Sequence, residues 1–398
     1  MSAGAVVNLG TLGMDQGAHL LVKRALRALP TGGSLRVLGD APALQIHLGA
    51  WARAQGHGCT ALAGACVLTR GNADQGRWHG AERAGGVDPS QDNAVAAHPS
   101  SRWGLAARGA KVEAGGPAFH FPLSDKDVVW TDDAARIYAQ AAAAQWDPAV
   151  AIDWQAEIAH PEEIEDAVVQ VMTYLIENEV AALMVPSRFL TQVHPHFREI
   201  LQVLAIQAAD EARHIEVFTR RAKLRRPELG LSTTGGQVSL KTLLDEPDFA
   251  MATFLLSVLG EGSFLELLRF LHRHAPDPIT RQVAKLSAQD EARHVAFGMA
   301  HLCRHASLDP SLTGRFAQAV QRRHAELQHS AGLNEEVFDA LILLAAGSWE
   351  PADIAMGWER VQELKASMDH GRQVRLRRLG FEPERAAELS ALHTRNFM

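Results

Sequence analysis

The chain has 398 residues, more than one ordinary core holds, so two domains are the first expectation; 47% hydrophobic and 21% charged residues exclude global disorder. Three scattered cysteines, Cys59, Cys66 and Cys303, lack CxxC spacing and argue against a disulfide framework, a thiolate zinc site or cysteine redox chemistry. The net charge of −7 divides into +4 over residues 1–120 (11 basic, 7 acidic) and −11 over the rest (28 basic, 39 acidic), which argues against a nucleic-acid partner, while the lack of any eighteen-residue apolar run or signal-like N-terminus predicts a cytoplasmic protein with no membrane partner.

From Val6 to about Thr69 the pattern predicts a β-α-β-α-β-β unit, a domain of residues 1–70. Ala5–Leu9 is a short apolar run, and Asp15 is placed to cap an amphipathic helix over Gln16–Leu29 that Pro30 and Gly32-Gly33 close. Ser34–Gly39 alternates as a strand does, Ala43–Gln55 is helical, and Cys59–Leu68 supplies further strand. Residues 71–120 are dense in Gly, Ala, Pro and Ser with little periodicity, which predicts a linker. Residues 121–398 then read as all-α, with helices near Pro161–Val193, Pro195–Arg225, Ser239–His274, Pro278–Leu308, Ser311–Ala331, Asn334–Gly347, Pro351–Leu379 and Pro383–His393. The predicted fold class is therefore α+β: a small N-terminal α/β domain followed by a helical bundle with extra C-terminal helices.

The nineteen histidines are the compositional oddity, and histidine is the commonest metal ligand. The pentapeptide DEARH occurs twice, at 210–214 and at 290–294, eighty residues apart. Two further ExxH pairs, Glu157 with His160 and Glu326 with His329, read as ordinary exposed or turn-proximal side chains. An i, i+3 spacing puts Glu211 with His214, and Glu291 with His294, on one helix face about a turn apart, where both can bind one ion. An antiparallel partner helix must bring another carboxylate to the same depth. Glu179 lies 32 residues before Glu211 with His194-Pro195 midway, and Glu261 lies 30 before Glu291 with Ala275–Pro278 midway. Glu177 points away from the Glu179 face and Glu266 sits only 25 residues before Glu291, so both are weaker candidates. Four buried carboxylates need compensating cations, which implies two divalent metals; mixed carboxylate and imidazole donors without thiolate suit iron or manganese, as Fe/Fe, Mn/Fe or Mn/Mn.

On these residues, the segment from about Pro161 to Leu308 resembles the ferritin-like di-iron carboxylate superfamily, and DE-x-R-H is similar to the motif of bacterial multicomponent monooxygenases. The resemblance implies a ferritin-like four-helix bundle in which Glu179, Glu211 and His214 hold one iron and Glu261, Glu291 and His294 the other. It makes Asp210 and Asp290 the groups that orient the ligand histidines, neutralised by Arg213 and Arg293. It also implies an oxidoreductase using O2 as co-substrate on a small organic molecule, by hydroxylation, N-oxygenation or desaturation, with a reductase or ferredoxin as electron donor and a homodimer allowed. A ferroxidase, a peroxide scavenger, an iron-responsive binding protein, or a bundle that the metals merely staple, would use the same ligands. The ribonucleotide reductase small subunit has its radical tyrosine seven residues after the first ExxH Glu; Phe218 stands there, which argues against a stable tyrosyl radical.

Two local features bear on the metal helices. Gly260 and Gly262 flank Glu261 inside LLSVLGEGSFLELL at a cost of about 1 kcal/mol each, which predicts either a π-bulge that leaves room beside the metals or a close helix contact. Pro186 is expected to kink or break the first metal helix. Residues 6–68 resemble the TusA/SirA sulfur-carrier fold through LVKRALRALPTGGSLRVLGDAPALQIHLGAWARAQGH, but Asp15 and Gln16 occupy the places of that family's Cys-Pro dipeptide. The family's persulfide route is closed to this chain, leaving a docking, sensing or structural role, with Trp51 and His57 as fold residues.

Overall fold

Residues 5–72, 75–88, 91, 94–327 and 335–394 are described by the computed structural model, which is about 61% helical. The chain forms two compact units, Met1–His120 and Phe121–Met398.

In the first unit β1 (Ala5–Asn8), α1 (Ala18–Arg27), β2 (Ser34–Leu38), α2 (Leu44–Ala54), β3 (Gly58–Leu62) and β4 (Ala65–Thr69) follow in the expected order. The sheet order is β1-β2-β4-β3, with β1 parallel to β2 (Ala5 opposite Leu35) and β4 antiparallel to both β2 and β3. Strand alternation in SLRVL buries Leu35 and Val37 against Val22, Leu26 and Leu48. Asp15 is not a helix cap: it lies in a short 3-10 turn, Met14–Gln16, and the residue before α1 is Gly17, whose φ of 98° suits glycine and which offers no side chain. His57 accepts the Gly71 amide at 3.1 Å. The stretch 71–120 belongs to this unit. There β5 (Glu82–Arg83) pairs with β6 (Lys111–Val112), Arg77 meets Glu113 at 2.8 Å, and Gly71 and Gly76 lie so close to the Gly56 backbone that a Cβ on either would collide with it. Some of the glycine density there therefore serves contact between backbones, which composition cannot distinguish from flexibility.

The second unit begins with two short helices absent from the sequence reading, α3 (Lys126–Val129) and α4 (Ala134–Ala143). Two helical hairpins follow: α5 (Glu162–Leu190) with α6 (Arg198–Ala222), and a helix running from Phe249 to His274 with α10 (Pro278–Leu308). Between the hairpins lies α7 (Thr234–Leu244). The single helix expected over Ser239–His274 is broken near Pro247, which has no N–H and disfavours helix at Glu246; Asp248 then caps the new start by accepting the Met251 amide at 2.9 Å. That second helix is α8 (Phe249–Thr253), a π-helical segment (Phe254–Glu261) and α9 (Gly262–His274). Pro186 does not end α5, which continues to Leu190. The chain closes with α11 (Leu312–Leu327), α12 (Glu335–Ala346), α13 (Pro351–Arg378) and α14 (Pro383–Thr394). Of these, α12 packs on α5 and α13, and α13 on α9. A small N-terminal sheet and a large helical unit match the expected α+β class.

Leu175, Phe218, Leu268 and Val283 meet in the bundle core. The helices Glu162–Leu190 and Phe249–His274 are long and apolar enough to cross a bilayer, but 67% and 83% of their most apolar stretches are buried within the protein. At one end of the bundle Arg221 is wholly enclosed. It donates to both Glu165 oxygens at 2.7 and 2.9 Å, to Asp277 at 2.8 Å and to the Thr280 hydroxyl at 2.7 Å, joining the ends of α5, α6 and α10. His160 lies against the same carboxylates, 3.3 Å from Glu165, so it is no isolated surface residue. His329 falls outside the described residues.

Farther along α10, His301 is fully buried between Phe249 and Phe297. Burial first, with repulsion from His305 and Arg304, outweighs the Trp130 backbone hydrogen bond and the attraction of Asp248 and lowers its pKa to about 3. The folded state keeps this ring neutral while the unfolded chain takes up a proton below about 6.5. Stability is therefore complete above pH 6.5 and is lost as pH falls from 6.5 towards 3, by roughly 3–5 kcal/mol at the limit. His301→Phe is expected to flatten that acid limb in urea titrations between pH 7 and pH 4; an unchanged slope would contradict it.

Candidate metal centre

The four helices bring all six predicted side chains together. Glu179 comes from α5, Glu211 and His214 from α6, Glu261 from the end of the π segment, and Glu291 and His294 from α10; each is at most 5% exposed. Their donor atoms form two overlapping groups, Glu179–Glu211–His214–Glu291 and Glu211–Glu261–Glu291–His294, each with ligand atoms within 4.8 Å of one another. Glu211 and Glu291 belong to both. The i, i+3 geometry holds: His214 Nδ1 is 3.2 Å from Glu211 and 3.3 Å from Glu291, and His294 Nδ1 is 3.0 Å from Glu211 and 3.4 Å from Glu291. Glu179 lies 3.7 Å from His214 Nδ1.

Each imidazole turns its other nitrogen to an aspartate, but the pairing is crossed. His214 Nε2 is 3.2 Å from Asp290, and His294 Nε2 is 3.2 Å from Asp210, so each DEARH orients the histidine of the other. A carboxylate at Nε2 fixes the proton there and leaves the Nδ1 lone pair directed into the glutamate cluster, the tautomer a metal ligand needs. Arg213 bonds Asp210 at 2.5 Å and Asp290 at 2.8 Å, and Arg293 bonds Asp290. Burial alone would raise both aspartates; their histidine partners, Gln145 at Asp210 and Arg213 with Trp146 at Asp290 outweigh it and hold them below the usual range.

The cluster also holds more buried acceptors than the surrounding donors satisfy. Glu179 Oε1, Glu211 Oε1, Glu261 Oε2, Glu291 Oε2 and His294 Nδ1 are all buried without a hydrogen-bond partner, a concentration of orphaned acceptors that folded proteins otherwise avoid. Burial first, and then Glu211 and Glu291, push Glu179 well above the ordinary carboxylate range; burial and Glu291 do the same to Glu261. Two divalent ions would balance four glutamates and supply the absent partners, so the donor set fits the predicted metals.

Three supporting residues escaped the sequence reading. Gln207 donates to Glu261 at 2.8 Å, and its place one turn before Glu211 on the same face was the available signal. Gln145 donates to Asp210 at 2.7 Å and the Trp146 indole to Asp290 at 2.8 Å, from a connection with no periodic signal. Glu177 and Glu266 stay outside the cluster; Glu266 pairs with Arg269 and Ser367. Phe218 is buried beside His214.

Both readings of the glycine pair hold, one at each position. The helix is π-helical through Gly260, where an added Cβ would meet only the Leu255 carbonyl, at 3.3 Å; at Gly262 a Cβ would run into the Arg375 guanidinium, which donates to the Val258 carbonyl at 2.7 Å. The widened turn adjoins a narrow chamber of about 30 Å³ lined by Glu179, Glu261 and Glu291 and, among others, by Leu240, Leu243, Leu256 and Phe264.

No family model matches the chain, and no curated protein matches it. Among solved structures it is similar to R2-like ligand-binding oxidases. One variant with an aerobically reconstituted Fe/Fe cofactor and one with Mn/Fe each give a TM-score of 0.49 at 17% identity, over 63% of this chain and 94% of theirs. Another Mn/Fe variant gives 0.42 at 16% identity, over 68% of this chain and 95% of its own.

Proposed function

We propose that the helical unit is a two-metal oxidoreductase, with iron or manganese at both positions, that uses O2 to oxidise a small organic molecule. The observation supporting this most directly is the pair of donor groups sharing Glu211 and Glu291, open on one side to an apolar-walled chamber. Glu179, Glu211 and His214 would hold one ion and Glu261, Glu291 and His294 the other, with Glu211 and Glu291 shared between them. Held by these residues, such ions would supply two-electron chemistry with O2. The chain supplies the rest. Asp210 and Asp290 hold the imidazoles, Gln207 holds Glu261 by one oxygen, and the leucines of the chamber exclude water from the reacting face. For a hydroxylation, one oxygen atom enters the substrate C–H bond and the other leaves as water, consuming two electrons and two protons from an external reductant, a reductase or ferredoxin.

An apolar wall favours this reading over a ferroxidase, whose substrate ion needs a polar path. The test is anaerobic Fe(II) titration followed by oxygen-electrode measurement. Uptake of two ions per chain and rapid O2 consumption, both retained in Glu157→Ala, are the expected results. Fewer than two ions bound, or no O2 consumption by the loaded protein, would overturn the proposal.

A further inference from the structure

Two arginines of α13 grip the π-helical stretch that presents Glu261. Arg375 donates from Nε to the Val258 carbonyl at 2.7 Å, inside that stretch, and its guanidinium occupies the space over Gly262. Gly371, one turn earlier on α13, makes room on the other side, where a Cβ would crowd Nη1 at 3.1 Å. Arg372 donates from Nη1 to the Ser263 hydroxyl at 3.1 Å, and that hydroxyl donates to the Leu259 carbonyl at 2.7 Å. Two consecutive carbonyls of the π stretch are thus tied to α13, one directly and one through a hydroxyl.

The grip is itself braced. Arg372 is 2% exposed, and its Nε donates to the Ser390 hydroxyl of α14 at 3.1 Å, which donates on to Asp369 at 2.5 Å. Burial, with repulsion from Arg372 against the attraction of Glu266, lowers the Arg375 pKa to about 10, so it stays charged and its bond to Val258 is of the stronger, charge-assisted kind.

A π stretch holds one more residue than the α-helix it replaces and is rare unless its surroundings hold it. Released, the same residues would close into an α-helix, which shifts the register by one residue and turns Glu261 by roughly 100° about the axis. Glu261 is the last residue of the stretch, so that turn would carry it away from Glu291 and His294. Gln207 holds one of its oxygens at 2.8 Å, and the other has no hydrogen-bond partner.

We propose that Arg375 is a positioning residue for Glu261: with Arg372 behind it, α13 holds the π register and thereby the ligand geometry of the Glu261–Glu291–His294 position. This rests on the two-metal reading. The helices beyond the two hairpins are then part of the frame of the metal centre, and they serve one of its two positions more than the other.

The test is Co(II) titration of the full chain by calorimetry, with visible absorption reporting the coordination of each ion. Arg375→Met is expected to weaken one of two ions by about ten-fold or more, and Arg375→Lys, which keeps a donor, to weaken it less. Two backgrounds separate positioning from general loosening. In Glu179→Ala, where the Glu261 position remains, adding Arg375→Met should weaken the remaining ion by about ten-fold or more. In Glu261→Ala it should leave the remaining ion's affinity and spectrum unchanged, because the side chain it positions is gone. Equal weakening in both backgrounds, or none in either, overturns the proposal. Should Arg375→Met not fold, Gly262→Ala replaces it in both backgrounds, since the added methyl pushes the guanidinium off Val258 while keeping the arginine; the same two outcomes decide. Fewer than two cobalt ions bound by the parent would defeat the two-metal reading itself, an outcome separate from a parent that binds two and is indifferent to Arg375.

Discussion

Glu291→Ala is expected to empty both metal positions at once, whereas Glu179→Ala or Glu261→Ala should each weaken one. Glu291 belongs to both donor groups, and Glu179 and Glu261 to one apiece. Metal content by mass spectrometry of the native protein should fall from two ions to none in the first variant and to about one in the others, with affinity down by on the order of 100-fold or more for each lost position. Loaded, the parent gains about 4 kcal/mol per bound ion at a metal concentration a thousand times its dissociation constant, and the variant gains none. One retained ion in Glu291→Ala would show that the glutamate is not shared.

Arg221→Met should be the most damaging substitution outside the centre. The guanidinium is enclosed by Glu165, Asp277 and Thr280, and its removal leaves two carboxylates buried without their cation. Breaking such a group costs about 3–5 kcal/mol, which lowers the melting temperature by roughly 10 °C for a unit of this size. Adding Glu165→Gln should recover part of the loss, since it removes one stranded charge. A shift below 1 °C in thermal unfolding would show that solvent reaches the site and screens it.

Much of this centre was legible because its chemistry is written locally. The i, i+3 spacing of Glu211 with His214, repeated eighty residues later, survives any detail of packing, and the mid-hairpin turns placed Glu179 and Glu261 by counting alone. The cost of Gly260 pointed to the π segment. Other features depended on contacts no window of sequence contains. Gln145 and Trp146 reach Asp210 and Asp290 from an irregular connection. Pro247 marks a break that the apolar periodicity on either side masks. Asp15 suits a cap by residue type, although the chain turns through Gly17 instead.

The exchange of aspartates between the two DEARH segments ties the fates of the two metal positions. Neither hairpin contains a finished half: the imidazole of one is aimed by the carboxylate of the other. Were ions seated as proposed, each would brace the opposite repeat, so that loss of one position should weaken the other without abolishing it.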